Sequence, residues 1–195
     1  MIKINKGFTL VELLIVIALL GVLAAAVLAA INPLEQANRA RDTRVRSDSS
    51  QLLAAIDRYF VAMEKFPWVT SGDVANNDAS YGFISAQDDG VGICAAAGCI
   101  GAGNDGYLIT NNELKTEFRN RDFAKTAIDT DMVYIGKATG ASSSVYACFV
   151  PKSKSERQKS THTLTLGSTA LGTVADCATR TYADLSTACV TCLPQ

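Results

Sequence analysis

Charged residues vanish from the chain between positions 13 and 31, where LLIVIALLGVLAAAVLAAI runs for 19 residues. A helix of that length reaches roughly 28 Å, close to the hydrocarbon thickness of a bilayer. The segment therefore predicts a helix able to cross a membrane once. Beyond it the pattern turns amphipathic. Val45, Leu52, Ile56, Phe60 and Met63 recur at three-, four- and seven-residue steps, with Leu53 and Tyr59 widening the stripe. Asp48, Gln51, Asp57 and Arg58 fall largely off that face, and Pro67 stops the pattern. The expectation is a nearly continuous helix from Phe8 to about Glu64, roughly 85 Å long. Its first half is apolar all round and its second half on one side.

Two positions interrupt this helix on paper. Pro33 removes a backbone donor and biases Asn32 away from helical geometry, which predicts a kink or local break. Gly21 is a second weak point, about 1 kcal/mol worse than alanine inside a helix. Glycine is also common in membrane-spanning helices, so Gly21 carries both readings.

From position 69 to 112 the sequence is rich in Gly, Asn, Asp, Ser and Ala without a sustained period, which predicts a long connecting region with short local elements. Residues 112–127 suggest a short helix with Leu114, Phe118 and Phe123 inward. Strands are expected at 131–138, 145–150 and 162–166, the first two joined through Thr139-Gly140-Ala141-Ser142. The tail from 174 to 195 alternates small polar residues with three cysteines. An antiparallel sheet of three or four strands laid on the amphipathic helix is the economical α+β architecture.

Composition narrows the function. Eighteen basic against nineteen acidic residues leave no basic excess to neutralise phosphates, so nucleic acid is not an expected partner. His162 is the sole histidine, which removes His-based triads and multi-His metal sites. The six cysteines all lie from position 94 onward and are even in number, as suits pairing in an oxidising compartment. Arg39, Arg41, Arg44 and Arg46 cluster beyond the apolar span, offset in part by Glu35, Asp42 and Asp48. They form a solvated face, or pair with acidic residues of adjacent subunits or with anionic lipid headgroups.

The anomaly is Glu12. A short basic leader, MIKINKG, and the stretch FTLVE precede the uncharged run, placing a carboxylate at the membrane end of the helix. Such a charge well inside a bilayer costs about 2.5–3.5 kcal/mol and calls for a partner. Nothing basic follows before Arg39. A cut between Gly7 and Phe8 would free the Phe8 amine, largely protonated at neutral pH, four residues from Glu12. Within one helix the carboxylate suits the positive dipole end where the amine sits, and between neighbouring helices of a polymer the two charges could pair in trans.

These residues carry a resemblance. KGFTLVELLIVIALLGVLAA, from Lys6 to about Ala26, resembles the class III leader and start of type IV prepilins and pseudopilins, with Gly7, Phe8, Thr9 and Glu12 in register. The resemblance extends through the amphipathic continuation to about Trp68. It implies cleavage after Gly7 by a membrane-embedded prepilin peptidase, N-methylation of Phe8, and a role for Glu12 in subunit registration. It also implies that the segment between Gly21 and Pro33 can melt or extend in a filament. A secretory signal peptide, with Lys3 and Lys6 as its basic region and cleavage near Ala26 or Ala30, competes with this reading, as does an uncleaved anchor. Glu12 interrupts the first, and neither explains the Gly7–Phe8 junction.

The remaining chemistry is sparse. Cys94 and Cys99 enclose a glycine-rich loop and Cys189-Val190-Thr191-Cys192 is a CxxC; these four sulfurs have spacings seen in zinc sites, and CxxC also serves thiol–disulfide exchange. Disulfides are the favoured fate: Cys94 with Cys99, and Cys148, Cys177, Cys189 and Cys192 among themselves. Asp88, Asp89, Asn104, Asp105, Asp129 and Asp131 offer oxygens for calcium, which major type II secretion pseudopilins bind in their heads, but form no D-x-[DN]-x-[DN]-G run. The default is solvated loop acids, and no metal or cofactor is expected. The glycines from Gly90 to Gly106 lack phosphate-loop spacing. The Ser/Thr-rich stretches at 142–144 and 160–173 offer acceptors for O-linked sugar or simply strand edges.

The resulting expectation is a pilin-like α+β chain that is not an enzyme. Residues 1–7 form a leader, 8–31 a transmembrane and filament-core helix, 32–66 an amphipathic stalk, and 67–195 a globular head. The precursor sits in the cytoplasmic membrane with its head outside, then joins an extracellular filament. Its expected partners are copies of itself, the prepilin peptidase, the pilus or secretion assembly machinery, and the lipid bilayer before assembly. A type II secretion or competence pseudopilin is the nearest alternative, and a membrane-tethered thiol oxidoreductase a remote one.

Overall fold

The uncharged run folds as α1, Leu10–Ala30, in the computed structural model, which describes residues 7–69, 77–95, 99, 105–140, 142–177, 179–180, 182 and 184–194. The chain divides into two units, residues 1–37 and 38–195. In the first, α1 ends at Ile31, whose extended backbone still donates to the Val27 carbonyl at 3.1 Å. A second helix, α2 (Pro33–Met63), starts at once. Asn32 Oδ1 accepts the Glu35 N–H at 3.2 Å, and Pro33 takes the first helical position, where its missing N–H costs nothing. The break therefore falls at Ile31–Asn32. Gly21 is not a second one: α1 runs unbroken through it. A glycine weakens a helix without deleting a hydrogen bond, whereas proline removes a donor and clashes with the preceding turn.

In the second unit α2 buries Asp42, Val45, Ser49, Leu52, Ile56 and Tyr59 at alternating three- and four-residue steps, together with Asp48 and Ala55. Met63, expected on the stripe, is exposed. Asp48, expected off it, is buried beside Arg121 at 3.5 Å. Burial holds its carboxyl above the usual range, opposed by the Arg121 and Arg44 charges. Asp42 is buried too: its carboxylate accepts the Lys152 and Ser153 N–H groups at 3.0 and 2.8 Å. Hydrogen bonds to a charged group contribute about 1.5–3 kcal/mol, so α2 is pinned to the chain far beyond it by polar as well as apolar contact.

Among the described residues six antiparallel strands follow: β1 (Tyr81–Ser85), β2 (Val133–Lys137), β3 (Val145–Phe149), β4 (His162–Thr163), β5 (Gly172–Thr173) and β6 (Cys189–Leu193). Their order is β1-β2-β3-β6-β4-β5. Alternation sorts the two faces. Val133, Ile135, Val145, Ala147 and Phe149 join the core that includes the buried α2 side chains, while Tyr134, Cys148 and Val150 join Phe83, Leu164, Leu185, Ala188 and Val190 in a second core. The sheet curls. Phe83 N–H donates to the Ser168 carbonyl and Gly167 N–H to the Phe83 carbonyl, both at 2.8 Å, so the segment between β4 and β5 returns to the open edge of β1. Gly82 permits this approach, since a Cβ there would lie 2.4 Å from the Gly167 oxygen.

Three expectations change. The region expected as a long connection contains β1, and the cysteine-rich tail supplies β6, which sits inside the sheet, giving six strands rather than three or four. The strand expected at 162–166 is only His162–Thr163. The helix expected at 112–127 is a 3₁₀ turn, Thr116–Asn120, and a short α-helix, Asp122–Lys125, although Leu114, Phe118 and Phe123 are buried as expected.

A buried cation closes one end of the first core. Lys137, 1% exposed, donates to the carbonyls of Asn77, Ala138 and Gly140 at 3.1, 3.2 and 2.6 Å. It also lies 5.4 Å from the Phe66 ring centre, and Phe66 belongs to a stack of Phe60, Phe66, Trp68 and Tyr81 with centroids 4.4–4.8 Å apart. Burial, with Asp88 nearby, raises the Tyr81 phenol, and burial raises Tyr134, whose hydroxyl donates to the Asp129 carbonyl at 2.9 Å.

A phenol whose folded pKa is raised contributes stability that is intact below the unfolded value of about 10 and is lost as pH climbs above it. In a titration followed at 295 nm, Tyr81 and Tyr134 should therefore stay protonated past pH 10 and ionise only with unfolding. All six tyrosines ionising together near pH 10 in a folded chain would contradict this.

Candidate functional site

The N-terminal segment is organised by one side chain. Gly7, Phe8 and Thr9 lie outside the helix and are exposed; no atom would meet a Cβ at Gly7. Thr9 is the N-cap of α1, and its hydroxyl accepts the Glu12 N–H at 3.2 Å. Glu12 reaches back: its Oε2 accepts the Thr9 N–H at 2.9 Å and the Thr9 hydroxyl at 2.8 Å. This is a capping box, in which two orphan donors of the first turn are satisfied reciprocally. The sequence carries the signal for it, Thr9-x-x-Glu12 ahead of an apolar run, so the carboxylate expected to need a cation is held by its own helix start. Its nearest partners lie in its own first turn. The carboxylate also sits at the positive end of the helix dipole.

Along α1 every large apolar side chain from Leu10 to Leu28 that is described is exposed, and none of that span is buried. The helix is long and apolar enough to cross a membrane. The Gly7–Phe8 bond therefore stands on an exposed, non-helical strip immediately ahead of a capped apolar helix. Lys3 and Lys6 of the leader lie outside the described residues.

Arg41, Arg44 and Arg46, beyond the break, meet partners within the second unit. Arg41 bonds Asp131 at 2.9 Å and the Val150 carbonyl at 3.2 Å, Arg44 meets Asp122 at 3.3 Å, and Arg46 pairs with Glu156. Lys152 joins Arg41 on Asp131. Arg41, Arg44 and Arg46 thus have partners within the second unit, and Arg44 stays exposed to solvent while it does so. The exposed Arg44–Asp122 pair contributes at most about 1 kcal/mol.

All six cysteines are paired: Cys94 with Cys99, Cys148 with Cys192, and Cys177 with Cys189. The two sulfurs of the CxxC thus go to different partners rather than to each other. Cys148–Cys192 links residues directly opposite on β3 and β6 and spans 44 positions, a loop whose closure is worth about 4 kcal/mol on chain entropy; the shorter loops are worth about 2–3. Of the candidate calcium oxygens, Asp88 accepts the Gly90 N–H at 3.0 Å, Asp105 meets Arg119 at 2.9 Å, and Asp131 holds Arg41 and Lys152. Asn104 lies outside the described residues. Among the described residues no three His, Cys, Asp or Glu side chains are grouped to hold a metal.

Comparison with protein families matches residues 2–28 to the prokaryotic N-terminal methylation motif. This is the class III prepilin leader of type IV pilins and pseudopilins. Neither the curated proteins nor the solved structures yielded a match to the chain.

The capping box makes its own prediction. Thr9→Val keeps the side-chain shape but removes the hydroxyl, at a cost of about 1 kcal/mol in the first turn. Amide hydrogens of residues 10–13 in detergent micelles should then exchange about fivefold faster, and Thr9→Ser should restore protection. Unchanged exchange in Thr9→Val would show that the cap does not hold the turn.

Proposed function

We propose that this chain is a prepilin, cut between Gly7 and Phe8 by a prepilin peptidase, N-methylated on Phe8 and polymerised through α1 into a surface filament. The observation that carries the reading is the methylation motif at residues 2–28 coinciding with an exposed strip and a capped, unpartnered apolar helix. Residues 1–7 are the leader, 8–31 the segment that spans the membrane and then enters the filament core, 32–66 the stalk and 67–195 the head. In the membrane the helix is solvated by lipid chains. In the filament, neighbouring copies of α1 take their place, guided by assembly machinery in the membrane. The chain is a substrate of processing enzymes and a building block, not a catalyst.

Glu12 sets the axial offset. Its carboxylate, held at the helix start by Thr9, is presented to the Phe8 amine that cleavage creates, in its own chain or in the neighbour. Pro33 and Gly21 mark the stretch that adapts when the helix leaves the membrane. The pilus is favoured over a type II secretion or competence pseudopilus because all six cysteines are committed to bridges in the second unit. Such bridging suits a subunit exposed outside the cell and loaded mechanically.

Glu12→Ala separates processing from assembly. The variant should still be cut and methylated, while filaments sheared from the cell surface fall at least tenfold. Wild-type filament yield from Glu12→Ala would remove the registration role, and secretion defects without any surface filament would reassign the chain to a pseudopilus.

A further inference from the structure

The sole histidine, His162, lies far along the chain from the Gly7–Phe8 junction, and its surroundings are not those of a mere strand edge. On the side of the second core, β3, β4, β6 and the turn after α5 (Lys154–Arg157) enclose an open cleft of about 650 Å³. That volume lies within the roughly 300–1,000 Å³ of small-molecule sites. Its floor is apolar: Tyr146, Leu171, Val190 and Cys192 rest on the second core.

The polar groups around this floor fall into two sets. One set is spent. Ser160 and Thr191, both buried, share a 2.8 Å hydrogen bond between their hydroxyls, and Glu156 is paired with Arg46. The other set is free for a ligand. Among the described residues, the side chains of Ser144, Tyr146 and Lys159 make no hydrogen bond or ion pair. His162 uses Nδ1 toward the Thr161 hydroxyl at 3.1 Å, which leaves Nε2 unengaged. One uncompensated ammonium, two hydroxyls and an imidazole nitrogen therefore converge on an apolar platform with no unpaired carboxylate among the lining residues.

We propose that this cleft binds an acidic saccharide of the uronic-acid class. The ammonium of Lys159 takes the carboxylate, while the Tyr146, Ser144 and His162 groups exchange donors and acceptors with ring hydroxyls. The C–H face of the sugar covers the platform of Tyr146, Leu171 and Val190. A bare anion has no use for that platform, and a neutral sugar leaves the ammonium uncompensated. This assignment is independent of whether the filament is a pilus or a pseudopilus.

Because His162 is the only histidine, its Cε1–H gives a single, unambiguous resonance in NMR spectra of the full chain in non-glycosidic detergent micelles. Tetragalacturonate should shift that resonance saturably, and neutral galactotetraose or acetate should bind at least tenfold more weakly. Lys159→Gln on the rim and Tyr146→Phe on the floor, neither with a side-chain hydrogen bond to lose, should each raise the Kd at least tenfold while the remaining spectrum stays that of the folded chain. No shift with about 10 mM tetragalacturonate would overturn the proposal. So would equal affinity for the neutral sugar or for acetate, or wild-type affinity in both variants.

Discussion

An apolar helix with nothing of its own chain buried along it must find a solvent other than water. That constraint governs the molecule. Each Leu, Ile or Val side chain left in water forgoes about 1.5–3 kcal/mol, and α1 exposes more than a dozen such side chains between Leu10 and Leu28. Lipid and identical helices can both cover it, and the two are nearly equivalent as hydrocarbon. Transfer between them therefore costs little in apolar terms, and on the proposed reading it falls to the polar groups at the helix start to set register. The capping box keeps Glu12 satisfied within one chain, so the carboxylate is provided for before any partner arrives.

The second unit solves a different problem: how a single amphipathic helix holds a curled sheet. The α2 face that includes Val45, Leu52 and Ile56 supplies hydrophobic burial, but its position along the sheet is fixed by charge. Asp42 grips two backbone amides, and Arg41, Arg46 and Arg58 bond acidic side chains or carbonyls far along the chain. Apolar contact is tolerant of sliding; hydrogen bonds with a fixed direction are not. The disulfide between β3 and β6 then locks the strand that arrives last in sequence into the middle of the sheet.

How much of this could be read from the residues depended on how local each signal is. Helices α1 and α2 follow from period and length, and the β2–β3 hairpin from two apolar runs around a turn. Tyr81–Ser85 was hidden because it is flanked by Gly, Asn and Asp and carries an irregular register against β2; its partner decides that it is a strand. Cys189–Leu193 was hidden by its small polar composition and is set by β3 on one side and β4 on the other. Asp42 and Asp48 look like surface residues because the amides and the arginine that permit their burial lie more than seventy residues away. Thr9-x-x-Glu12 is a local signal, legible as a capping box as well as a charge. The cleft beside His162 is assembled from three strands and a turn, so no stretch of sequence announces it.

The central claim is that the chain is processed at Gly7–Phe8 and then works through the exposed helix that follows the cut. Intact mass with N-terminal fragmentation, on protein recovered from cell envelope and from sheared surface material, tests it most directly. The account predicts a chain that begins at N-methylated Phe8 in both fractions. A chain beginning after Ala26 or Ala30, or one that keeps Met1 in surface material, would contradict it.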